Sequence, residues 1–141
     1  MCPAEDVSVQ PDPDRGHTIL IVEDETLVRM ATAEHLRDAG YTVIEAATGE
    51  EAQAVLEAGV SVSLIFSDVN MPGAVDGLAL AVWAGAQNNP PVVLLTSGVP
   101  DMLAQARQRC PSVRAYLTKP YVYEDLERSI RELLPRQDNA D

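Results

Sequence analysis

Residues 62–72 read Val-Ser-Leu-Ile-Phe-Ser-Asp-Val-Asn-Met-Pro, and this stretch decides the fold. Val62–Ser67 is strand-length and mostly apolar, without the strict alternation of a strand that is wet on one face. Such strands belong to parallel sheets covered by helices on both sides. The run stops at an acid, Asp68, and a loop through Pro72 and Gly73 carries the chain to Asp76. In open parallel sheets ligands gather at the carboxyl ends of the strands. Asp68 therefore stands where chemistry is expected.

Outward from this run the pattern repeats. His17–Val22 is a β-branched apolar strand, and Thr26–Ala39 a helix with Val28, Ala31 and Leu36 on one face and Gly40 as its stop. Tyr41–Ala46 is a second strand. Thr48 is placed to cap the next helix, with Glu51 as its capping-box partner; that helix runs to about Ala58 with Ala52, Val55 and Leu56 inward. After the Val62–Ser67 strand come a helix from Gly77 to about Gln87, a strand Val92–Thr96, a helix from Pro100 to about Arg109, and a strand Val113–Leu117. Tyr121–Leu134 closes the series, with Val122, Leu126, Ile130 and Leu133 as its inward stripe. Five strands alternating with five helices predict an α/β three-layer sandwich of parallel βαβ units with right-handed crossovers.

Composition bounds the function. The chain has 141 residues, 46% of them apolar, which is enough core for one domain without a disulfide or metal staple. A net charge of −12 argues against binding nucleic acid or an anionic membrane. No apolar run approaches the ~20 residues of a membrane span, and no secretory signal is expected. Cys2 and Cys110 make no disulfide framework, so a reduced, cytoplasmic protein is the default. Residues 1–16, rich in Pro and Asp, are expected to be a disordered acidic tail. Residues 17–134 form the domain, and 135–141 a short C-terminal tail.

The strand ends carry the candidate site. Strand one ends in Glu23-Asp24-Glu25, strand three in Asp68, strand four in Thr96-Ser97 and strand five in Lys119-Pro120. Carboxylates gathered at one rim repel unless a cation joins them, and oxygen-only ligands favour Mg²⁺ or Mn²⁺ over Zn²⁺. Lys119, the sole lysine of the chain, and Thr96 add a point charge and a hydroxyl suited to a phosphoryl group. No His, Cys or second lysine is placed as nucleophile. Asp68 can serve, by attack of its carboxylate on phosphorus to give an acyl phosphate.

Ile21-Val22-Glu23-Asp24, Ser67-Asp68-Val69-Asn70-Met71-Pro72-Gly73, Leu94-Leu95-Thr96-Ser97-Gly98 and Tyr116-Leu117-Thr118-Lys119-Pro120, in this order, resemble the receiver domain of bacterial two-component response regulators. The resemblance runs from His17 to Leu134. It implies a flavodoxin-like (βα)5 sheet of order 2-1-3-4-5, for which a chemotaxis receiver is the standard illustration. It implies that Asp68 is the phospho-acceptor, that Asp24 and Asp68 ligate Mg²⁺ directly, that Glu23 acts through water, and that Asn70 offers its backbone carbonyl. Thr96 and Lys119 are the hydroxyl and ammonium that grip the phosphoryl group. Thr96 and Tyr116 form the switch, and the Lys119–Pro120 bond is expected cis.

As partners the resemblance implies a sensor histidine kinase or histidine phosphotransfer protein, an unknown downstream protein, and a homodimer through the face of Met102–Arg109, Tyr116 and the last helix. With seven residues after Leu134, a stand-alone switch rather than a turnover enzyme is expected. There are three departures from the usual pattern: one extra residue between Pro72 and Asp76, Arg109-Cys110-Pro111-Ser112-Val113 before the fifth strand, and no output domain expected after Leu134. Three rival readings were weighed. A phosphate-sink receiver shares the same chemistry. An aspartyl-phosphate phosphatase lacks its Asp-x-Asp motif here, since Val69 and Asn70 follow Asp68. A phosphorylation-independent pseudo-receiver would not need the complete acceptor, metal and lysine set.

Overall fold

The computed structural model describes residues 16–99, 104–105, 108–110 and 113–134. The expected tails, apart from Gly16, and most of the Pro100–Arg109 helix lie outside these residues; 104–105 and 108–109 are helical. The strands are β1 (Thr18–Val22), β2 (Thr42–Ala46), β3 (Leu64–Asp68), β4 (Val92–Ser97) and β5 (Val113–Thr118). The helices bounded in full are α1 (Thr26–Asp38), α2 (Gly49–Glu57), α3 (Gly77–Gly85) and α4 (Tyr123–Leu133). All strand pairs are parallel, in the order β2-β1-β3-β4-β5. The expected topology is the observed one.

Strand residues split between two cores. Leu20, Val22, Ile65, Val93 and Leu95 pack with Ala52, Leu80, Ala81 and Ala84 of α2 and α3. Ile19, Ile21, Leu64, Phe66 and Leu94 pack with Ala33 and Leu36 of α1 and Leu126 and Ile130 of α4. Burial on both faces explains why β1 and β3 read as unbroken apolar runs. Trp83 is only half-buried, at the edge of the first cluster.

Two helical faces differ from the periodicity reading. In α1, Val28 and Ala31 are exposed, and Thr32, Ala33 and Leu36 are buried. Leu27, Val28, Met30 and Ala31 make a second apolar stripe, and the small Ala33 lets the helix approach the sheet instead. Val122 is the N-cap of α4 rather than part of its stripe, and is 57% exposed. The Thr48 cap is confirmed: its Oγ1 accepts from Glu51 N–H at 3.0 Å. The Glu51 carboxylate accepts in return from Ala47 N–H at 2.7 Å, one residue before the cap.

The unusual segment before β5 coincides with a bulge. Val93 pairs with Val113 but Leu94 with Ala115, so Arg114 is an extra residue on β5. Beyond it Ala115 and Leu117 face α4, which sends the intervening Tyr116 to the opposite side of the sheet.

Candidate functional site

Asp68 is the last residue of β3 and pairs in register with Thr96 on β4. Both are buried. The Asp68 carboxylate is held at both oxygens. Oδ1 accepts from Asn70 N–H at 3.0 Å, and Oδ2 accepts from Lys119 Nζ at 2.5 Å. Lys119 follows β5, with its own N–H on Ser97 O at 2.9 Å and a cis bond to Pro120. Thr96 Oγ1 is buried and has no hydrogen-bond partner among the described residues. A buried hydroxyl left unpaired costs about 1–3 kcal/mol. Here it belongs to the cross-strand partner of Asp68.

Glu23 closes the other side of the rim. Its N–H donates to Ala46 O at 3.1 Å, and its Oε2 accepts from Glu25 N–H at 3.0 Å. Burial, foremost, raises its carboxyl above the ordinary 4.5; the Glu25 N–H and the Lys119 charge oppose this, and the Asp68 charge and a hydrogen bond with Asp24 add to it. Asp24 is exposed. Burial would lower the Lys119 ammonium, but the hydrogen bond and charge of Asp68, with Glu23 beyond, raise it overall and keep it protonated.

Among the described residues no three His, Cys, Asp or Glu side chains form a closed metal-holding group. The donor chemistry nevertheless fits a small hard cation. Glu23, Asp24 and Asp68 offer only carboxylate oxygens, the donors such a cation takes, and Asp24 and Asp68 both act to raise the Glu23 carboxyl.

The structure thus brings Glu23, Asp24, Asp68, Asn70, Thr96 and Lys119 to one rim. Tyr116 stands apart on β5, its ring 39% exposed. Three further residues shape the site. A Cβ at Gly77 would lie 2.1 Å from Asp68 O and 2.7 Å from Val69 Cα, so only glycine lets α3 start against the end of β3. Glu50 of α2 accepts from Ala74 N–H at 3.3 Å beside Gly73, whose φ is +99°, and so pins the lengthened loop. Arg29 of α1 donates from Nη1 to Glu23 O at 2.9 Å and from Nε to Glu45 Oε1 at 3.3 Å. Sequence reading singled out Gly77 as a helix start only, and missed Glu50 and Arg29, whose partners lie on other elements.

Beside Lys119 a cleft of about 770 Å³ is lined by Val28, Thr32, Pro120, Tyr121, Val122 and Tyr123, among others. The Tyr121 hydroxyl is raised above its ordinary 10.0, chiefly by burial, against a hydrogen bond with Thr32. Its ring meets Phe66 edge-on at 5.8 Å. His35, on the outer side of α1, bonds Glu127 and stacks on Tyr123, tying α1 to α4.

A family model described as the response regulator receiver domain matches residues 19–131. The transcriptional regulatory protein PdtaR of Mycobacterium tuberculosis is 37% identical over 120 residues, covering 84% of this chain and 57% of PdtaR. The chain therefore spans little more than half of that relative. Among solved structures, the receiver domain of the hybrid histidine kinase CckA is 36% identical with a TM-score of 0.69, covering 83% of this chain and 98% of that one. The chemotaxis protein CheY4 of Vibrio cholerae is 28% identical with a TM-score of 0.73, covering 84% and 98%.

Proposed function

The chain belongs to the response regulator receiver domain family, and on that premise we propose that it is a phosphorylation switch whose acceptor is Asp68. The observation that carries this is the pairing of Lys119 Nζ with Asp68 Oδ2 beside the unpartnered, buried Thr96 Oγ1. In the proposed step an Asp68 carboxylate oxygen attacks the phosphorus of a phosphohistidine on a sensor histidine kinase or phosphotransfer protein. An O–P bond forms, the N–P bond breaks, and the imidazole leaves with the electron pair. Asn70 N–H and Lys119 fix the carboxylate before attack. Lys119 then exchanges Asp68 Oδ2 for a phosphoryl oxygen, and Thr96 supplies the donor that its hydroxyl leaves unused.

Glu23, Asp24, Asp68 and the Asn70 carbonyl would hold Mg²⁺ or Mn²⁺. The ion supplies neutralisation of charge on the transferring group. A solved receiver-fold protein, TrrA of Thermotoga maritima, is described as a complex with Mg²⁺-BeF, in keeping with this assignment.

The donor approaches over α1, where Leu27 is 81% exposed and Met30 52%, next to the cleft beside Lys119. The signal leaves through the Tyr116 side, toward a downstream protein or a second copy of the chain. Rearrangement of Thr96 is relayed along the Leu95–Tyr116 and Thr96–Leu117 pairs. The protein acts in the cytoplasm as a switch and not as a multiple-turnover enzyme. Among the described residues no helix is long and apolar enough to cross a membrane.

Acetyl phosphate or beryllofluoride, with and without Mg²⁺, tests the reading. Mg²⁺-dependent labelling that requires Asp68, with spectral change reaching Tyr116, is expected. An inert protein would leave only the pseudo-receiver, and labelling without change at Tyr116 would favour the phosphate sink.

A further inference from the structure

Arg29 is the one guanidinium that reaches the backbone of the acid rim in the described residues. We infer that it is a positioning residue for Asp24, setting cation affinity by holding the Glu23–Asp24 peptide; this rests on the metal-site reading above. Its Nη1 donates to Glu23 O at 2.9 Å, and its side chain is only 15% exposed. The preceding peptide unit, Val22–Glu23, is fixed by β2, because Glu23 N–H donates to Ala46 O at 3.1 Å, which leaves Arg29 as the hold on the next one. Glu23 is thereby held at its N–H, its carbonyl and its carboxylate, the last by Glu25 N–H at 3.0 Å.

Asp24 follows directly and is exposed. Its direction depends on the plane of the preceding peptide, and Arg29 fixes that plane. Glu45 keeps the guanidinium in place through Nε at 3.3 Å and is itself steadied by Arg37 Nη1 at 3.3 Å. Arg29 touches no reacting atom and acts only through the peptide it holds. Partners of this kind, one bond removed from the ligands, change metal affinity by roughly 10–100-fold when removed.

The test is calorimetric titration of Mg²⁺ into the full chain without phosphodonor, with melting temperatures recorded alongside. Wild type, Arg29→Gln, Arg29→Lys and Glu45→Gln are compared. Arg29→Gln should weaken Mg²⁺ binding ~10-fold or more. Arg29→Lys, which can still reach the carbonyl, should recover part of the loss. Glu45→Gln breaks the ion pair but leaves Arg29 on Glu23 O, so it should lower the melting temperature while binding Mg²⁺ within about twofold of wild type. Equal affinity in wild type and Arg29→Gln, or equal loss in Arg29→Gln and Glu45→Gln, overturns the inference and leaves the site reading intact. A wild type that takes up no Mg²⁺ overturns both. Should Arg29→Gln fail to fold, Arg29→Lys against Glu45→Gln carries the same comparison, and an unweakened Arg29→Lys with weakened Glu45→Gln overturns it.

Discussion

At the rim, Glu23, Asp24 and Asp68 face a single ammonium, Lys119. On the flank, Arg29 and Arg37 share a single carboxylate, Glu45, and each donates a further hydrogen bond to a backbone carbonyl, of Glu23 and Val43 respectively. The flank is closed: each group has its partner, and nothing further is needed. The rim is open: it keeps surplus negative charge, a carboxyl raised by burial, and a hydroxyl with no partner among the described residues. Stability alone would not build the rim, since buried charge without full compensation costs free energy. The two clusters teach that a site is recognised by what its charges leave unbalanced, not by how many there are.

The comparison breaks most severely at the acceptor. Asp68→Asn should abolish labelling by acetyl phosphate altogether, because the amide is a poor nucleophile of the same shape, while the circular dichroism of the fold is kept. Undiminished labelling would mean that the rim is not the site. Next comes the cation. At 100-fold excess over its dissociation constant, Mg²⁺ should stabilise wild type by about 2.7 kcal/mol, and Asp24→Ala should lose most of that shift in a thermal melt. An unchanged shift would remove Asp24 from the ligands.

Tyr121 lines the cleft beside Lys119, next to the rim. Tyr121→Phe gives up the Thr32 bond and should cost about 1 kcal/mol in denaturant unfolding at neutral pH. Its pH dependence carries a definite sign. A folded-state value raised above 10.0 means that the folded chain holds the phenolic proton more tightly than the unfolded chain. Wild type therefore loses stability as pH rises from 10.0 through the raised value, and the phenylalanine variant loses less over that window. A wider gap between the two at high pH would contradict the buried hydroxyl. The smallest effect belongs to the closed flank: Arg37→Gln, at an exposed position, should cost roughly 0.5 kcal/mol and leave labelling unchanged. A labelling defect there would show that the flank is not self-contained.

Much of this was legible in the sequence for a physical reason. Strands buried on both faces are apolar runs, and acids at their ends cannot be explained by packing, so Asp68, Glu23 and Lys119 stood out before any coordinates. What stayed hidden depends on three-dimensional proximity. Leu27, Val28, Met30 and Ala31 offer as good an apolar stripe as Thr32, Ala33 and Leu36, and periodicity cannot tell which of two such stripes faces the sheet. Val122 has the right spacing for its helix but caps it instead. Arg29 looks like any helical arginine until Glu23 O and Glu45 arrive from β1 and β2. The Arg114 bulge leaves no mark beyond an atypical turn before it.

Gly98 lies two residues beyond Thr96, and a Cβ added there would meet nothing within 4 Å among the described residues. That open space is a clock setting. Under the proposed chemistry an acyl phosphate on Asp68 would form near ground that no side chain among the described residues shades, and water would reach phosphorus there. Under that reading a mark written there would fade quickly, and the chain would report the present input rather than the accumulated past. Memory could be lengthened at this position without touching the chemistry that writes the mark, simply by giving residue 98 a side chain.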